Sequence, residues 1–335
     1  MKPGRCLLAG IAALALVGAA CSDVEEGASV GGGNGGGGSS GVAQCGSEPI
    51  NLAQSPWTGA AANTFVAKVI MEQEMGCTVE VSEVDEFAQF PALAKGDLDA
   101  TLEVWPSGHQ KDYKRYIEGD GGVVDGGELG VVGNIGWWVP TYVVQQNPAV
   151  KSYRGLKGNE DLFATSETGG QGQFLASDPS FVSFDGEIIE NLGLDLEVVQ
   201  SGSEAASLTA LAKAVKAKDP LLMYFWTPHW AQAKYELTEV QLPEYDKQCE
   251  TAATERDGDG YSCDYADDIL YKAFSAELEE KDPAAFEFLS NFNYNNDDQN
   301  QIALDIDDRG QDPEAAAQAW VDQNKDVWQE WLPAA

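Results

Sequence analysis

Phe87-Ala88-Gln89-Phe90-Pro91-Ala92-Leu93-Ala94-Lys95-Gly96-Asp97-Leu98-Asp99-Ala100-Thr101-Leu102-Glu103-Val104-Trp105 is the stretch on which the fold turns. Residues 87–95 carry helix formers and end at Gly96, a residue free to take the left-handed turn that closes a helix. Residues 98–104 form a short apolar run, too short for a helix, that reads as a buried strand leading straight into Trp105. A helix closed by glycine and followed by a buried strand is the repeating unit of an α/β fold with mostly parallel strands.

The same alternation extends in both directions. Upstream, residues 50–53 read as a strand, 60–75 as a helix with Phe65, Val69 and Ile70 facing inward, and 78–84 as a second strand. Downstream, residues 135–144 read as a long apolar strand, interrupted at Pro140, that crosses from one lobe to another. Residues 188–192, 205–218, 221–226 and 229–235 continue the pattern. Residues 267–332 read as helical, and Asp282-Pro283 and Asp312-Pro313 each place a capping residue before an N1 proline. No internal repeat is visible. Ligands in such folds collect at the carboxyl ends of the strands.

Ahead of the fold, Lys2 and Arg5 precede an apolar run at 7–17, and Gly18, Ala19 and Ala20 lead into Cys21. This has the form of a signal peptide over residues 1–20 ending at a cysteine, and the run is too short to span a bilayer. It resembles a bacterial lipoprotein signal, which implies lipidation at Cys21, although Gly18 replaces the usual leucine. The glycine and serine run that follows makes residues 21–44 a flexible tether, so the folded part begins near Cys45.

The chain has 335 residues and a formal net charge of -35, from 20 Lys+Arg against 55 Asp+Glu. Such a surface repels nucleic acid and anionic headgroups and keeps an exported protein soluble. Of the six cysteines, Cys6 leaves with the signal peptide and Cys21 takes the lipid. Cys45, Cys77, Cys249 and Cys263 remain for disulfides, with no C-x-x-C pair to suggest zinc. Cys45 with Cys77 and Cys249 with Cys263 is the expected pairing, since the second closes an Asp/Gly-rich loop; the other two pairings stay open.

Among nine tryptophans, Trp57, Trp105, Trp137, Trp138, Trp226 and Trp230 fall at or near strand ends, where a cleft opens. Trp137 and Trp138 are adjacent in a strand, so their side chains face opposite ways and core packing accounts for them. Trp320, Trp328 and Trp331 have helical spacing and read as core. Asp257-Gly258-Asp259-Gly260 hints at a calcium loop, but no glutamate stands at the twelfth position, and a turn within a disulfide loop accounts for it better.

Three segments resemble the glycine betaine-binding proteins of ABC importers. Residues 96–105, followed by His109, are similar to that family's strand ending in a cage tryptophan with a histidine one turn later. Tyr224-Phe225-Trp226-Thr227-Pro228-His229-Trp230 is similar to its Trp-Thr-Pro-x-Trp segment. Asp178-Pro179-Ser180-Phe181-Val182-Ser183 stands where the family carries a third tryptophan, and this chain has Phe181 there. The resemblance implies an α/β, two-lobed, type II-like periplasmic-binding-protein fold, each lobe a mostly parallel sheet flanked by helices. Lobe 1 is then 45–142 and 268–335, lobe 2 is 143–267, and the ligand lies in the interlobe cleft.

It also implies an extracytoplasmic binding component that captures glycine betaine or a related quaternary ammonium compound and delivers it to ABC permease subunits. No cofactor and no metal are expected. Trp105, Phe181 and Trp226 form the cage, with Trp57 at its mouth; His109 and the amides of Val182 and Ser183 hold the ligand's carboxylate. The physics agrees with this reading. A trimethylammonium group has no N–H to donate, and its spread charge and apolar methyls suit ring faces, worth roughly 1 to 2 kcal/mol per desolvated ring. Choline or carnitine binding and a sensory domain are the alternatives. A secreted hydrolase fits less well, because no G-x-S-x-G or H-E-x-x-H motif is present.

Overall fold

A computed structural model of the chain describes residues 41–119, 121–254 and 260–335. The signal peptide, Cys21, most of the tether and residues 257–259 of the Asp/Gly turn lie outside the described residues.

Two parallel blocks frame the molecule. In the first, β1 (Ile50–Gln54) pairs in parallel with β2 (Val79–Glu83) and β3 (Ala100–Val104). The helix α1 (Thr58–Glu74) connects β1 to β2, and α2 (Glu86–Leu93) connects β2 to β3. Ala62, Val66, Ala67, Ile70 and Met71 on α1 are fully buried, whereas Phe65 is only half-buried. In the second block β5 (Gly172–Ala176) pairs in parallel with β6 (Leu196–Gln200) and β7 (Met223–Thr227). The blocks are the cores of two lobes.

Two antiparallel strands join them: β4 (Val123–Pro140) and β9 (Asp267–Ser275) pair with each other, β9 pairs with β3, and β4 pairs with β7. The result is one nine-stranded sheet in the order β2-β1-β3-β9-β4-β7-β5-β6, with β8 (Leu237–Glu239) added to β4. β4 thus crosses between lobes, as its apolar run suggests, but it begins at Val123 and ends at Pro140, and Thr141–Gln146 is a helix. Glycines at 126, 127, 130 and 133 hide the strand's first half from a hydropathy reading. At 126 the glycine is demanded by packing, since a Cβ there would lie 2.4 Å from the Phe274 ring. Pro140 has no N–H for the ladder and stops the strand.

The expectation of helix throughout 267–332 also needs correction, because its first nine residues are β9. Ile269, Leu270, Tyr271 and Phe274 are good strand residues, and pairing on both sides overrides any helical pattern. Helices Pro283–Asn291, Asn296–Asp307 and Pro313–Gln323 follow. Asp282 accepts from the Ala285 N–H, Asp312 from those of Glu314 and Ala315, and Asn295 and Asp298 form a capping box. Residues 188–192 belong to the helix Asp185–Leu192.

Cys45 is bonded to Cys77 and Cys249 to Cys263. Trp320, Trp328 and Trp331 are buried, with Trp320 stacked 6.1 Å from Trp331. Among the described residues no helix is long and apolar enough to cross a membrane.

Candidate functional site

Every parallel strand but β6 delivers a residue to one narrow cavity from just past or at its carboxyl end. Trp57 follows β1, Glu86 follows β2, and Trp105 and Ser107 follow β3. Phe181 and Val182 follow β5, Tyr224 and Trp226 lie on β7, and Ile135 on β4 closes the floor. This is the crevice position that α/β sheets offer to ligands, because the helix-to-strand order leaves those loops free of sheet packing.

Trp57, Trp105, Phe181 and Trp226 are brought together there. Phe181 packs T-shaped against both Trp57 (centroids 5.2 Å, 87°) and Trp226 (5.9 Å, 82°). Trp105 packs against β4 because Gly133 leaves room: a Cβ at 133 would sit 2.3 Å from its ring. Gly108, at φ +102, admits the Val182 side chain in the same way. Trp137 and Trp138 stay out of the cavity. Trp137 is fully buried and donates its indole N–H to Asp185 at 2.7 Å.

The polar side of the cavity differs from the expected carboxylate clamp. His109 does not line the cavity; it is buried behind Glu86, with Nε2 3.2 Å from a Glu86 oxygen and Nδ1 2.9 Å from Asp112. Burial works against its charge, but the hydrogen bonds with Asp112 and Glu86 prevail and raise its pKa to about 9. The Val182 N–H also donates to Glu86, so that amide is already occupied. Ser183 lines a neighbouring crevice with Phe87, Asp178 and Gln200 rather than the cage. The Ser107 N–H and hydroxyl both donate to Asp268, at 3.0 and 2.8 Å. The cavity therefore presents the carboxyl group of Glu86, paired with His109 behind it, where neutral donors were expected. The sequence reading missed it because an acid in the first turn of a helix is ordinary. Its place just past β2, at the same level as the other strand ends, is the signal that could have found it.

Behind the cage, Glu103 on β3 accepts four N–H groups: the indoles of Trp57 (2.7 Å) and Trp105 (3.0 Å), the Gln299 amide (2.7 Å) and the Asn63 amide. Burial pushes its carboxyl up to about 7, against the pull of those donors.

A second cluster joins α1 and the helix Asn296–Asp307 to the helix Glu204–Ala217 and the segment after β7. Glu204, at the start of the helix Glu204–Ala217, accepts from the Thr58 N–H at 2.8 Å and lies 2.9 Å from His229 Nε2. Asp307 accepts from the Thr58 hydroxyl at 2.8 Å and the Trp230 indole at 2.9 Å. Glu204, His229 and Asp307 each bring a ligand atom within 4.8 Å of the others, the spacing of a metal site. The Ala231 N–H, however, donates to His229 Nδ1, which leaves the proton on Nε2, facing Glu204. In this arrangement the cluster is a hydrogen-bonded clasp.

The family described as the substrate-binding domain of ABC-type glycine betaine transport systems matches residues 48–323. The trimethylamine N-oxide-binding protein of Pelagibacter ubique (strain HTCC1062) is 27% identical over 293 residues, covering 84% of this chain and 90% of that protein. Among solved structures, the glycine/betaine/L-proline-binding protein of Borrelia burgdorferi superimposes with a TM-score of 0.70 at 22% identity, over 85% of this chain and 97% of that one. An ABC-transporter choline-binding protein in complex with choline gives 0.68 at 20% identity, over 85% and 93%. At these identities the superpositions show the two-lobed fold.

Proposed function

The chain belongs to the family of substrate-binding domains of ABC-type glycine betaine transport systems, and from that premise we propose that its cavity cages the cation of glycine betaine or a related quaternary ammonium compound. The observation that carries the reading is the convergence of Trp57, Trp105, Phe181 and Trp226 on one cavity. Ring faces attract a methylated cation and cover its methyl groups, and the walls offer no competing N–H demand. Phe181 is smaller than a tryptophan, which leaves more room on that side.

Glu86 sets the other end of the ligand. A carboxylate approaching it meets another acceptor group, its charge partly offset by His109 behind it, and finds no free donor, whereas a hydroxyl donates to it. Among compounds of this class, choline, whose hydroxyl can donate, suits the Glu86 arrangement as it stands, whereas the oxygen of unprotonated trimethylamine N-oxide only accepts and needs a donor as a carboxylate does. Glycine betaine needs the Val182 N–H and His109 turned from Glu86 toward the ligand. The relatives are named for glycine betaine and L-proline as well as for choline and trimethylamine N-oxide, so they support the class and not one member of it.

As a component of an ABC importer the protein acts outside the cytoplasm. We read Cys21 as its lipid anchor, residues 21–44 as the tether, permease subunits as its partner, and 45–142 with 268–335 against 143–267 as the lobes that close on the ligand. Binding without turnover is the activity. Thermal-shift and calorimetric titrations with glycine betaine, choline, carnitine and trimethylamine N-oxide test the reading. We expect saturable binding of at least one, and for Glu86→Gln a shift of preference toward glycine betaine by about tenfold, the effect of removing roughly 1.4 kcal/mol of like-charge repulsion. No binding of any of the four refutes the cage.

A further inference from the structure

Glu103 touches no part of the cavity, yet it holds two of the four cage rings by their indole nitrogens. One of its oxygens takes both indole N–H groups and the other takes the two amides, from Asn63 on α1 and Gln299 on the helix Asn296–Asp307. Four donors around one carboxyl suit the ionised form, since a carboxyl proton would face an N–H. No cation contacts it among the described residues. Lys68 on α1 pairs with Glu72 and Glu314, and the Lys272 ammonium on β9 is taken up by the carbonyls of Ser290 and Phe292. The other titratable groups on the packed elements are acids or phenols: Glu74 on α1, Glu86 on α2, Asp267, Asp268 and Tyr271 on β9, Asp297, Asp298, Asp305 and Asp307 on the helix that carries Gln299, and Tyr294 before it.

We propose that Glu103 is the positioning residue of the cage and the counter-charge of its ligand: it fixes the Trp57 and Trp105 ring faces and makes them more negative through their N–H groups. The proposal rests on the reading of the cavity as a quaternary ammonium cage. An indole that donates its N–H to a carboxylate is polarised toward its ring, so the face turned to the cation gains negative charge. The buried carboxylate also acts directly on the cation through a medium of low dielectric. A neutral amide keeps the geometry and loses both effects.

Linkage follows. A cation in the cage favours ionised Glu103, and because burial pushes that carboxyl up to about 7, part of the free protein must release a proton to bind. Affinity for a ligand of fixed charge therefore falls as pH drops below that value.

The test is calorimetry of the full chain with choline chloride from pH 5.5 to 8, repeated at pH 6.5 in two buffers of different ionisation enthalpy. For the wild type we expect about tenfold weaker binding at pH 5.5 than at pH 8, with proton release at pH 6.5. For Glu103→Gln, whose fold is checked by its melt, we expect about tenfold weaker binding at pH 8 and a flat profile. Choline binding without proton release in the wild type overturns the proposal and leaves the cage standing, and needs no variant. So does a slope that survives Glu103→Gln, or one that vanishes only in Glu86→Gln. Failure of the wild type to bind choline, glycine betaine or trimethylamine N-oxide overturns cage and counter-charge together.

Discussion

Phe181 and Glu86 carry the individuality of this site. Phe181 packs T-shaped against Trp57 and Trp226, and these tryptophans together with Trp105 have the larger faces. Trp226→Ala should therefore weaken binding of the preferred ligand by about 1 to 3 kcal/mol, read by calorimetry. Trp320→Ala, from the core stack with Trp331, should instead lower the melting temperature and leave the affinity unchanged. Equal affinity losses in the two variants would refute the assignment. At this scale the aromatic residues were readable, because a tryptophan at a strand end is rare enough to stand out. Glu86, Ser107 and Glu103 were not, because an acid or a serine has meaning only through the atom it faces.

The elements place these residues by a common rule: each cage side chain belongs to a segment at the carboxyl end of a strand, or to β4 beneath them. The strand and helix pattern of residues 50–105 follows from its local periodicity, and the observed bounds differ from the expected ones by a few residues at most. β9 and the first half of β4 escaped that reading. The glycines of β4 and the mixed pattern of β9 make sense only in the assembled sheet, where 126 must admit Phe274 and 133 must admit Trp105. The clasp of Glu204, Thr58, His229 and Asp307 joins the helix Glu204–Ala217 and the segment after β7 to α1 and the helix Asn296–Asp307. Glu204→Ala should remove hydrogen bonds to a charged group that form across the lobes, worth about 2 kcal/mol. The expected outcome is ligand release accelerated by about tenfold or more in stopped-flow tryptophan fluorescence, with little change in association. An unchanged release rate would show that the clasp does not hold the lobes.

For the molecule as a whole, charge governs stability. Burial raises the carboxyls of Glu103, Glu239 and Asp268 to about 7 and those of Asp185 and Asp264 to about 6. His109 is raised to about 9 despite its burial, by Asp112 and Glu86. In each case the folded state binds its proton more tightly than the unfolded state. The stability this contributes is present at low pH and is lost as pH rises through the folded values. The net charge of -35 acts in the same direction, since self-repulsion grows with pH. The melting temperature of the ligand-free protein should accordingly fall between pH 5.5 and 9, and added salt should recover part of the loss at pH 9. A melting temperature that rises over this range would contradict the assignment of these groups. Affinity is expected to run the opposite way between pH 5.5 and 8, which separates ligand capture from folding stability.

The sequence by itself determined the α/β class and the acidity of the whole, because each is written in local pattern or composition, and its resemblance to a known family implied the two lobes and the rings at residues 105, 181 and 226. Only the tertiary structure decided what stands beside the rings: Trp57 as a full wall, Glu86 in place of the donor clamp, His109 one layer behind, and Glu103 beneath the two indoles. Those relations join residues from separate strands and helices. The contacts arise only when the crossing strands β4 and β9 bring the strand ends together, and a linear pattern contains no distance between them.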